Sequence, residues 1–363
     1  AVRVARGMME MGMIPEGQEK WLLDVVLSGT ICDSMQMSEV NRNLCFYGAK
    51  VLGKTRRAGL KELMRVSQTR EITAETIGFQ IGPRLNAAGR MANAGIALDL
   101  LQAPSKVEGA SLALELEKLN GERRNQQMAA MKEFGERGVP EDEVLVMTGK
   151  WHEGVLGIIA GRLVDDYKRP AFVLSEVEEG VMKGSGRSFG DFSLAEALKA
   201  CGDVIIGGGG HAGAAGVKVE KEKLAEFRKK INEYYRSLGL VGQERYFEKQ
   251  ADLTVRDLGD FTLEFLEELE GLEPFGPGNE MPVFRLAEVF VLDKKLMGAE
   301  GQHLRLLVRG EDGKTLKLVA FGVPETWRRV EGGERVDALV QVEENEWNGL
   351  RSVEGRILDL RGC

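Results

Sequence analysis

Residues 207–216 read GGGGHAGAAG: four glycines, a histidine and a run of small residues, between Ile205-Ile206 and the alternating segment VKVE. Every neighbour of His211 in this stretch is glycine or alanine, so no bulky side chain guards the backbone. Consecutive glycines let N–H groups form a concavity that a phosphate oxygen can enter. A histidine at its rim can donate to the same phosphate or move a proton. The same letters also fit a tight β-turn with His211 packed into a core. The flanks decide the surrounding fold. VLVMTG (144–149), PAFVLSE (170–176) and GVMKGSGRS (180–188) have strand character. GVLGIIAGRLVDDY (154–167), SLAEALKAC (193–201) and EKLAEFRKKINEYYRSL (222–238) have helical spacing. Alternating strands and helices predict an α/β domain of about 100 residues.

Upstream, SKVEGASLALELEKLNGERRNQQMAAMKEF (105–134) has the composition and period of a long helix, ending at GERGVPEDE. IGFQIGPRLNAAGRMANAG (77–95) reads as a loop, punctuated by Gly, Pro and Asn. WLLDVVLSGTICDSM (21–35) reads as a buried helix that delivers Asp33 to a turn, and Asn41 to about Gln68 as another helical stretch. From Tyr246 onward the pattern changes to a short helix and five β-like runs, which predicts a small β-barrel or sandwich.

The chain has 363 residues and 43% hydrophobic composition, enough for two or three domains with their own cores. A net charge of −8 argues against a generic nucleic-acid coat protein and leaves local basic strips to decide about nucleic acid. KTRR (54–57), ERRN (122–125), FRKK (227–230) and DKK (293–295) are the basic runs, each also readable as a solvated face. Cys32, Cys45, Cys201 and Cys363 have no paired spacing and read as reduced thiols of a cytoplasmic protein. No run approaches the roughly 18 apolar residues of a membrane span, and no signal peptide is recognisable.

Three further clusters share the anion-friendly character of residues 207–216. KGSGRS (183–188) offers Ser185 and Arg187 as a phosphate clamp, or is a plain Gly/Ser hairpin. GPRLNAAGR (82–90) offers Arg84, Asn86 and Arg90, or is a capping loop with solvated arginines. In TGKWHEGVLG (148–157), Trp151 and His152 precede a helix start, and Trp151 alternatively covers the core. For metal chemistry, GTICD (29–33) supplies the single carboxylate Asp33, whereas a divalent site needs several Asp or His ligands.

GTICD, followed by NR (41–42) and GLKEL (59–63), resembles the fourth motif of the DHH phosphoesterases. IGPRLNAAGRM, LNGERR, WHEGVLGIIAGRL, KGSGRS, GGGGHAGAAG and PFGPGNEMPVF then follow in the order found in the RecJ family, the single-strand-specific 5′→3′ exonucleases. The resemblance implies a remnant of a DHH catalytic domain (1–68), a phosphate-binding loop with a connecting helix (69–137), a DHH-associated α/β domain (138–243) and an OB-like β-barrel (244–363). It implies a metal-dependent exonuclease of DNA repair and recombination acting on single-stranded DNA with a 5′ end. Asp33 would be a ligand of a Mn²⁺ or Mg²⁺ pair and, with His211, catalytic. Asn86, Arg90, Ser185, Arg187, Gly210 and His211 would hold the phosphate, with Arg84 and His152 as further candidates. The family also implies a monomer and single-strand-binding protein as a partner. No DHH string occurs, and no DxD precedes Asp33. The chain therefore reads as a fragment without most metal ligands, expected neither to bind metal tightly nor to cleave DNA. Two other readings stay open. One is a DHH-type oligonucleotide or cyclic-dinucleotide phosphodiesterase, which would end near residue 240; the other is a catalytically dead nucleic-acid-binding scaffold.

Overall fold

The computed structural model describes residues 2–240 and 242–362. The chain divides into two compact units, residues 1–52 with 249–363, and residues 53–248. The first unit opens with α1 (Val2–Glu10), α2 (Leu23–Cys32) and α3 (Glu39–Leu52). α2 ends as the sequence suggests, with Asp33 as its exposed C-cap.

In the second unit the stretch expected as one helix past Asn41 restarts as α4 (Ala58–Val66). Residues 77–95, expected as a loop, are helical. A turn α5 (Ala74–Thr76) passes through a π-helical turn (Ile77–Ile81) into α6 (Gly82–Met91), and α7 (Gly95–Gln102) follows. Pro83 reads as a breaker but lies in the first turn of α6, where the π-helical turn passes into it. Ala87 and Ala88 are fully buried there. α8 (Lys106–Arg137) is the long helix, begun where Ser105 accepts the Glu108 N–H at 3.2 Å and stopped by Gly138 at φ 77°.

The α/β part follows as β1 (Leu145–Gly149), α9 (Leu156–Tyr167), β2 (Ala171–Glu178), β3 (Val181–Arg187), α10 (Leu194–Ala200), β4 (Gly207–Gly210), β5 (Ala214–Glu220) and α11 (Leu224–Ser237). The sheet order is β1-β2-β3-β5-β4, with β1–β2 parallel and the other pairs antiparallel. Alternation along the strands splits the core in two. Val146, Phe172, Leu174 and Val217 pack with Leu194, Phe227 and Ile231 of α10 and α11. Leu145, Met147, Ala171 and Val173 pack on the other face with Phe134 of α8 and Ile159 and Leu163 of α9. Trp151 is buried in that second layer, edge-on to Phe134. The four glycines are thus a strand at the sheet edge, and His211 is exposed at the hairpin tip, which removes the packed-core reading.

The first unit closes with β6 (Leu253–Val255), α12 (Leu263–Glu270), β7 (Phe284–Met297), β8 (His303–Arg309), β9 (Thr315–Phe321), β10 (Arg335–Trp347) and β11 (Leu350–Gly362). Neighbours run β7-β8-β9-β11-β10, and β10 pairs back with β7, so each of these five strands has two partners within the circuit, and β7 also pairs with β6. The circuit is thinnest at the parallel β9–β11 step, which has three residue pairs. Leu286, Val291, Leu304, Leu306, Leu318, Val336 and Val340 fill its interior. Arg42 of α3 donates to the carbonyls of Gly271 and Leu272 at 2.7 and 3.1 Å, satisfying the C-terminal end of α12. Among the described residues no helix is long and apolar enough to cross a membrane.

Candidate functional site

Within the second unit, α6, α8 and the turn before α9 meet along a polar stripe. Glu117, Asn120, Arg123 and Gln126 follow at three-residue steps on α8, each a neighbour of the next, so the row winds around the helix. Arg84 is ion-paired with Glu117 and donates to the Gln80 carbonyl at 2.6 Å. Its guanidinium ties α6 to α8. Asn120, buried, accepts from Arg123 Nε at 3.1 Å, and Gln126 accepts the His152 N–H at 2.9 Å. Arg90 donates to the Gly154 carbonyl at 3.4 Å. A Cβ on Gly154 would stand 1.8 Å from the Arg90 carbonyl oxygen, so only glycine lets this turn pass α6. Asn86 is exposed on α6, one turn before Arg90 and on the same face.

β3 supplies the opposite wall. Lys183, Ser185 and Arg187 alternate toward α9, while Gly184 and Gly186 face the core, where a Cβ would meet Leu174 at 2.6 Å and Phe172 at 2.5 Å. Arg187 donates to Ser185 Oγ at 3.1 Å and to the Gly186 carbonyl at 2.8 Å. Gly157 of α9 leaves room for this pair: a Cβ there would lie 2.8 Å from Arg187 Nη2 and 2.9 Å from Ser185 Oγ. Burial, then the charge of Arg90, pulls the Arg187 guanidinium below its ordinary pKa. Burial, then Arg90 and Arg124, do the same to Arg123. Arg90, Arg123 and Arg187 are half-buried, and among the described residues none of the three has a carboxylate partner. Their mutual repulsion is what an anion would relieve.

The β4–β5 hairpin continues this wall. Gly210 pairs with Ala215, which pairs with Gly186, and the Ser188 N–H donates to the Gly213 carbonyl at 3.0 Å. The hairpin tip therefore lies beside the end of β3 that carries Arg187. His211 Nδ1 accepts the Gly213 N–H at 3.2 Å, and His152 Nδ1 accepts the Gly154 N–H at 3.2 Å. In each, Nδ1 is the accepting nitrogen and Nε2 is left for another partner. Lys183 is ion-paired with Glu153, whose carboxyl is held below its usual range by that bond, with His152 and Lys218 adding to the effect.

Comparisons with known proteins bear on the same segments. Residues 141–237 match the DHHA1 domain and residues 252–359 the RecJ OB domain. The single-stranded-DNA-specific exonuclease RecJ of Bacillus subtilis is 33% identical over 358 residues, covering 94% of this chain and 45% of the relative. The Escherichia coli protein of that name is 29% identical over 350 residues, 92% of this chain and 60% of its own length. RecJ from Thermus thermophilus in complex with Mg²⁺ matches with TM-score 0.83 at 27% identity, over 98% of this chain and 54% of that one. Its Mn²⁺ complex matches with the same TM-score. This chain is a RecJ-like protein of the DHH superfamily. It spans about half the length of the curated relatives it matches.

The RecJ-like OB domain carries a second set of contacts that the sequence reading left unassigned. On the outer face of β8, His303, Arg305, Leu307 and Arg309 stand opposite Phe321, Val319, Lys317 and Thr315 of β9. Phe321 is 67% exposed and meets His303 edge-on at 5.2 Å, and the Arg309 guanidinium lies 5.2 Å from the Phe290 ring centre. Aromatic faces interleaved with cations suit unpaired bases and a phosphate backbone.

Asp33, expected as a metal ligand, is an exposed carboxylate of the first unit. Among the described residues no group of three His, Cys, Asp or Glu side chains could hold a metal ion. The residues present do not by themselves form a donor set for a metal pair. Of the residues expected at the phosphate, Arg90, Ser185, Arg187, Gly210 and His211 belong to the two adjoining walls, whereas Arg84 is consumed by Glu117. Arg123 was missed. Its signal was the Asn-x-x-Arg spacing within LNGERR, which puts a buried amide behind a guanidinium on one helix face.

Proposed function

We propose that this chain grips single-stranded DNA by its 5′ end and serves as the strand-holding part of a single-strand-specific 5′→3′ exonuclease. One observation carries the reading: Arg90 repels both Arg123 and Arg187, all three half-buried and without a carboxylate partner among the described residues, and Arg187 bonds Ser185. A terminal phosphate, with about two negative charges, fits that deficit. Ser185 Oγ accepts from Arg187, which leaves its own proton for a phosphate oxygen. His211 presents Nε2–H at the hairpin tip to the same anion, or to an oxygen leaving with negative charge, and Asn86 extends the contact along α6. The OB face at His303, Arg305, Arg309 and Phe321 holds bases further along the strand.

Hydrolysis with a Mn²⁺ or Mg²⁺ pair belongs to this reading through the relatives, whose structures are Mg²⁺ and Mn²⁺ complexes. What the described residues supply is binding, orientation and hydrogen-bond donation. The four-part division 1–68, 69–137, 138–243 and 244–363, a cytoplasmic monomer, and encounter with single-strand-binding protein belong to the same proposal.

The test is fluorescence anisotropy with one labelled oligonucleotide prepared with a 5′-phosphate, with a 5′-hydroxyl and as a blunt duplex. Charge-assisted hydrogen bonds of about 1.5–3 kcal/mol predict at least tenfold tighter binding of the 5′-phosphorylated single strand than of either alternative. Equal affinity for all three would sink the proposal.

A further inference from the structure

Arg187 ends β3, and the loop that follows it, residues 188–193, is fastened by two sets of contacts. The first makes it one body with the β4–β5 hairpin tip. The Ser188 N–H donates to the Gly213 carbonyl at 3.0 Å, and the Leu194 N–H to the Ala212 carbonyl at 2.9 Å. Within the loop, Ser188 Oγ donates to the Phe192 carbonyl at 2.8 Å. The loop therefore ties the strand end carrying Arg187 to the tip carrying His211. In the second set, Phe189, Gly190 and Asp191 all meet one segment, Gln243–Phe247, just before the chain passes to the first unit at Lys249.

That second fastening converges on one carboxylate. Asp191 Oδ1 accepts from the Tyr246 hydroxyl at 2.8 Å, and Oδ2 accepts from Arg245 Nη2 at 2.8 Å and Gln243 Nε2 at 3.3 Å. The Asp191 N–H donates in return to Oε1 of the buried Gln243 at 3.2 Å. Phe247 lies edge-on to Phe189, with ring centres 4.3 Å apart. Gly190 makes room for the segment: at φ 60°, a Cβ there would stand 2.5 Å from the Tyr246 ring and 2.6 Å from Gln243 Oε1. The segment's backbone–backbone bonds are local, Arg245 to Gly242 and Glu248 to Arg245, and among the described residues none reaches the loop. Its side chains alone hold it down. It can lift without breaking a ladder, which places it among the parts of a fold that open at low cost.

We propose that Asp191 is a positioning residue of the phosphate wall, and that Gln243–Phe247 is a strap which, closed on Asp191, holds the 188–193 loop, Arg187 and the His211 hairpin tip in their anion-binding arrangement. This rests on the terminal-phosphate reading of Arg187 and Ser185. Asp191 touches no ligand and acts through the loop, four residues past Arg187. Linkage makes the coupling reciprocal: the factor that strap closure adds to phosphate affinity, bound phosphate adds to strap closure. A carboxylate is needed at position 191 because all three side chains that reach it donate. Asparagine would turn an NH₂ toward those donors, and the strap would open.

The experiment pairs two measurements on the full chain. Limited trypsin digestion, with fragments identified by mass spectrometry, follows cleavage after Arg245, whose guanidinium is held by Asp191 and Tyr246 until the strap opens. When opening is fast, the cleavage rate tracks the open fraction. Fluorescence anisotropy gives affinities for one oligothymidylate with a 5′-phosphate and with a 5′-hydroxyl. In wild type, saturating 5′-phosphorylated strand is expected to slow cleavage at Arg245 about fivefold, the lower end of ordinary coupling between sites. That slowing exceeds any at Lys229 of α11, and the hydroxyl strand does not produce it. Asp191→Asn is expected to be cut fast with or without ligand. It binds the 5′-phosphorylated strand about fivefold more weakly, by the same linkage, and the hydroxyl strand as wild type does. Tyr246→Phe, which removes one hydroxyl, moves both measurements the same way by less. A segment that only stabilised the fold would change neither the ligand dependence of cleavage nor the preference for phosphate. Protection at Arg245 no greater than at Lys229, or a phosphate preference kept in full by both variants, overturns the strap. Equal binding of the two strands by wild type overturns instead the terminal-phosphate reading beneath it.

Discussion

Replacing Arg187 by Met keeps the aliphatic stem and removes the charge. Without ligand, two effects oppose each other. The variant loses hydrogen bonds to the Gly186 carbonyl (2.8 Å) and Ser185 Oγ (3.1 Å), each worth about 0.5–1.5 kcal/mol. It also loses the repulsion from Arg90 and the cost of burying a guanidinium. For unit charges near 4 Å in water the repulsion is about 1 kcal/mol, and solvent screening keeps this half-exposed group close to that low end. The net change is within about 1 kcal/mol of zero, a shift of roughly 2–4 °C or less for a unit of this size. A 5′-phosphorylated oligonucleotide at a hundred times its Kd stabilises the wild type by about 2.7 kcal/mol. That corresponds to roughly 5–11 °C in Tm, and the same ligand concentration gives the variant little. Differential scanning fluorimetry with and without ligand reads both quantities. If Arg187→Met melts far below wild type without ligand, and ligand leaves the wild-type Tm unmoved, Arg187 is a structural residue and the anion-deficit reasoning fails.

Other substitutions separate scaffold from grip. Gly154→Ala places a Cβ 1.8 Å from the Arg90 carbonyl oxygen, so it should lower stability by about 1–3 kcal/mol in chemical denaturation and weaken 5′-phosphate binding severalfold; unchanged values would show that the turn yields freely. Arg84→Met loses the Glu117 tie and should cost about 1–3 kcal/mol of stability while the phosphate affinity stays within twofold; a binding loss as large as that of Arg187→Ala would return Arg84 to the pocket. Burial raises the Cys32 and Cys201 thiols to about 11, so both should resist a thiol-specific reagent at pH 8 until the protein unfolds, and rapid native labelling would contradict it. Because these folded pKa values lie above the unfolded thiol value, their stabilising share is complete below about pH 8.5 and fades as pH rises toward 11.

The long helix α8 was legible from its helix-forming composition and the five β runs from their apolar alternation. α6 was not, since Gly82, Pro83 and Asn86 look like turn residues until Pro83 is placed in a first turn and Ala87 and Ala88 are seen to be buried. The glycine run was readable as an anion surface but not as an edge strand, because extended and looped glycines have the same composition. Arg84 and Arg90 are equivalent in sequence. They differ only through Glu117, 33 residues away on α8, which holds one and not the other. Arg123 likewise gains its meaning from a residue on another element, Arg90. Asp33 was expected to join metal ligands, and the described residues offer it no such companions.

The most direct measurement is a thermodynamic cycle between the 5′-phosphate and the guanidinium cluster. Dissociation constants are needed for 5′-phosphorylated and 5′-hydroxyl single strands with wild type, Arg187→Ala and Arg90→Ala. The expected result is at least a tenfold advantage for the phosphorylated strand in wild type, falling to within about twofold in either variant, while affinity for the hydroxyl strand changes little. If the advantage persists unchanged in both variants, the terminal phosphate is held elsewhere and the arginine pocket is not the 5′-end site.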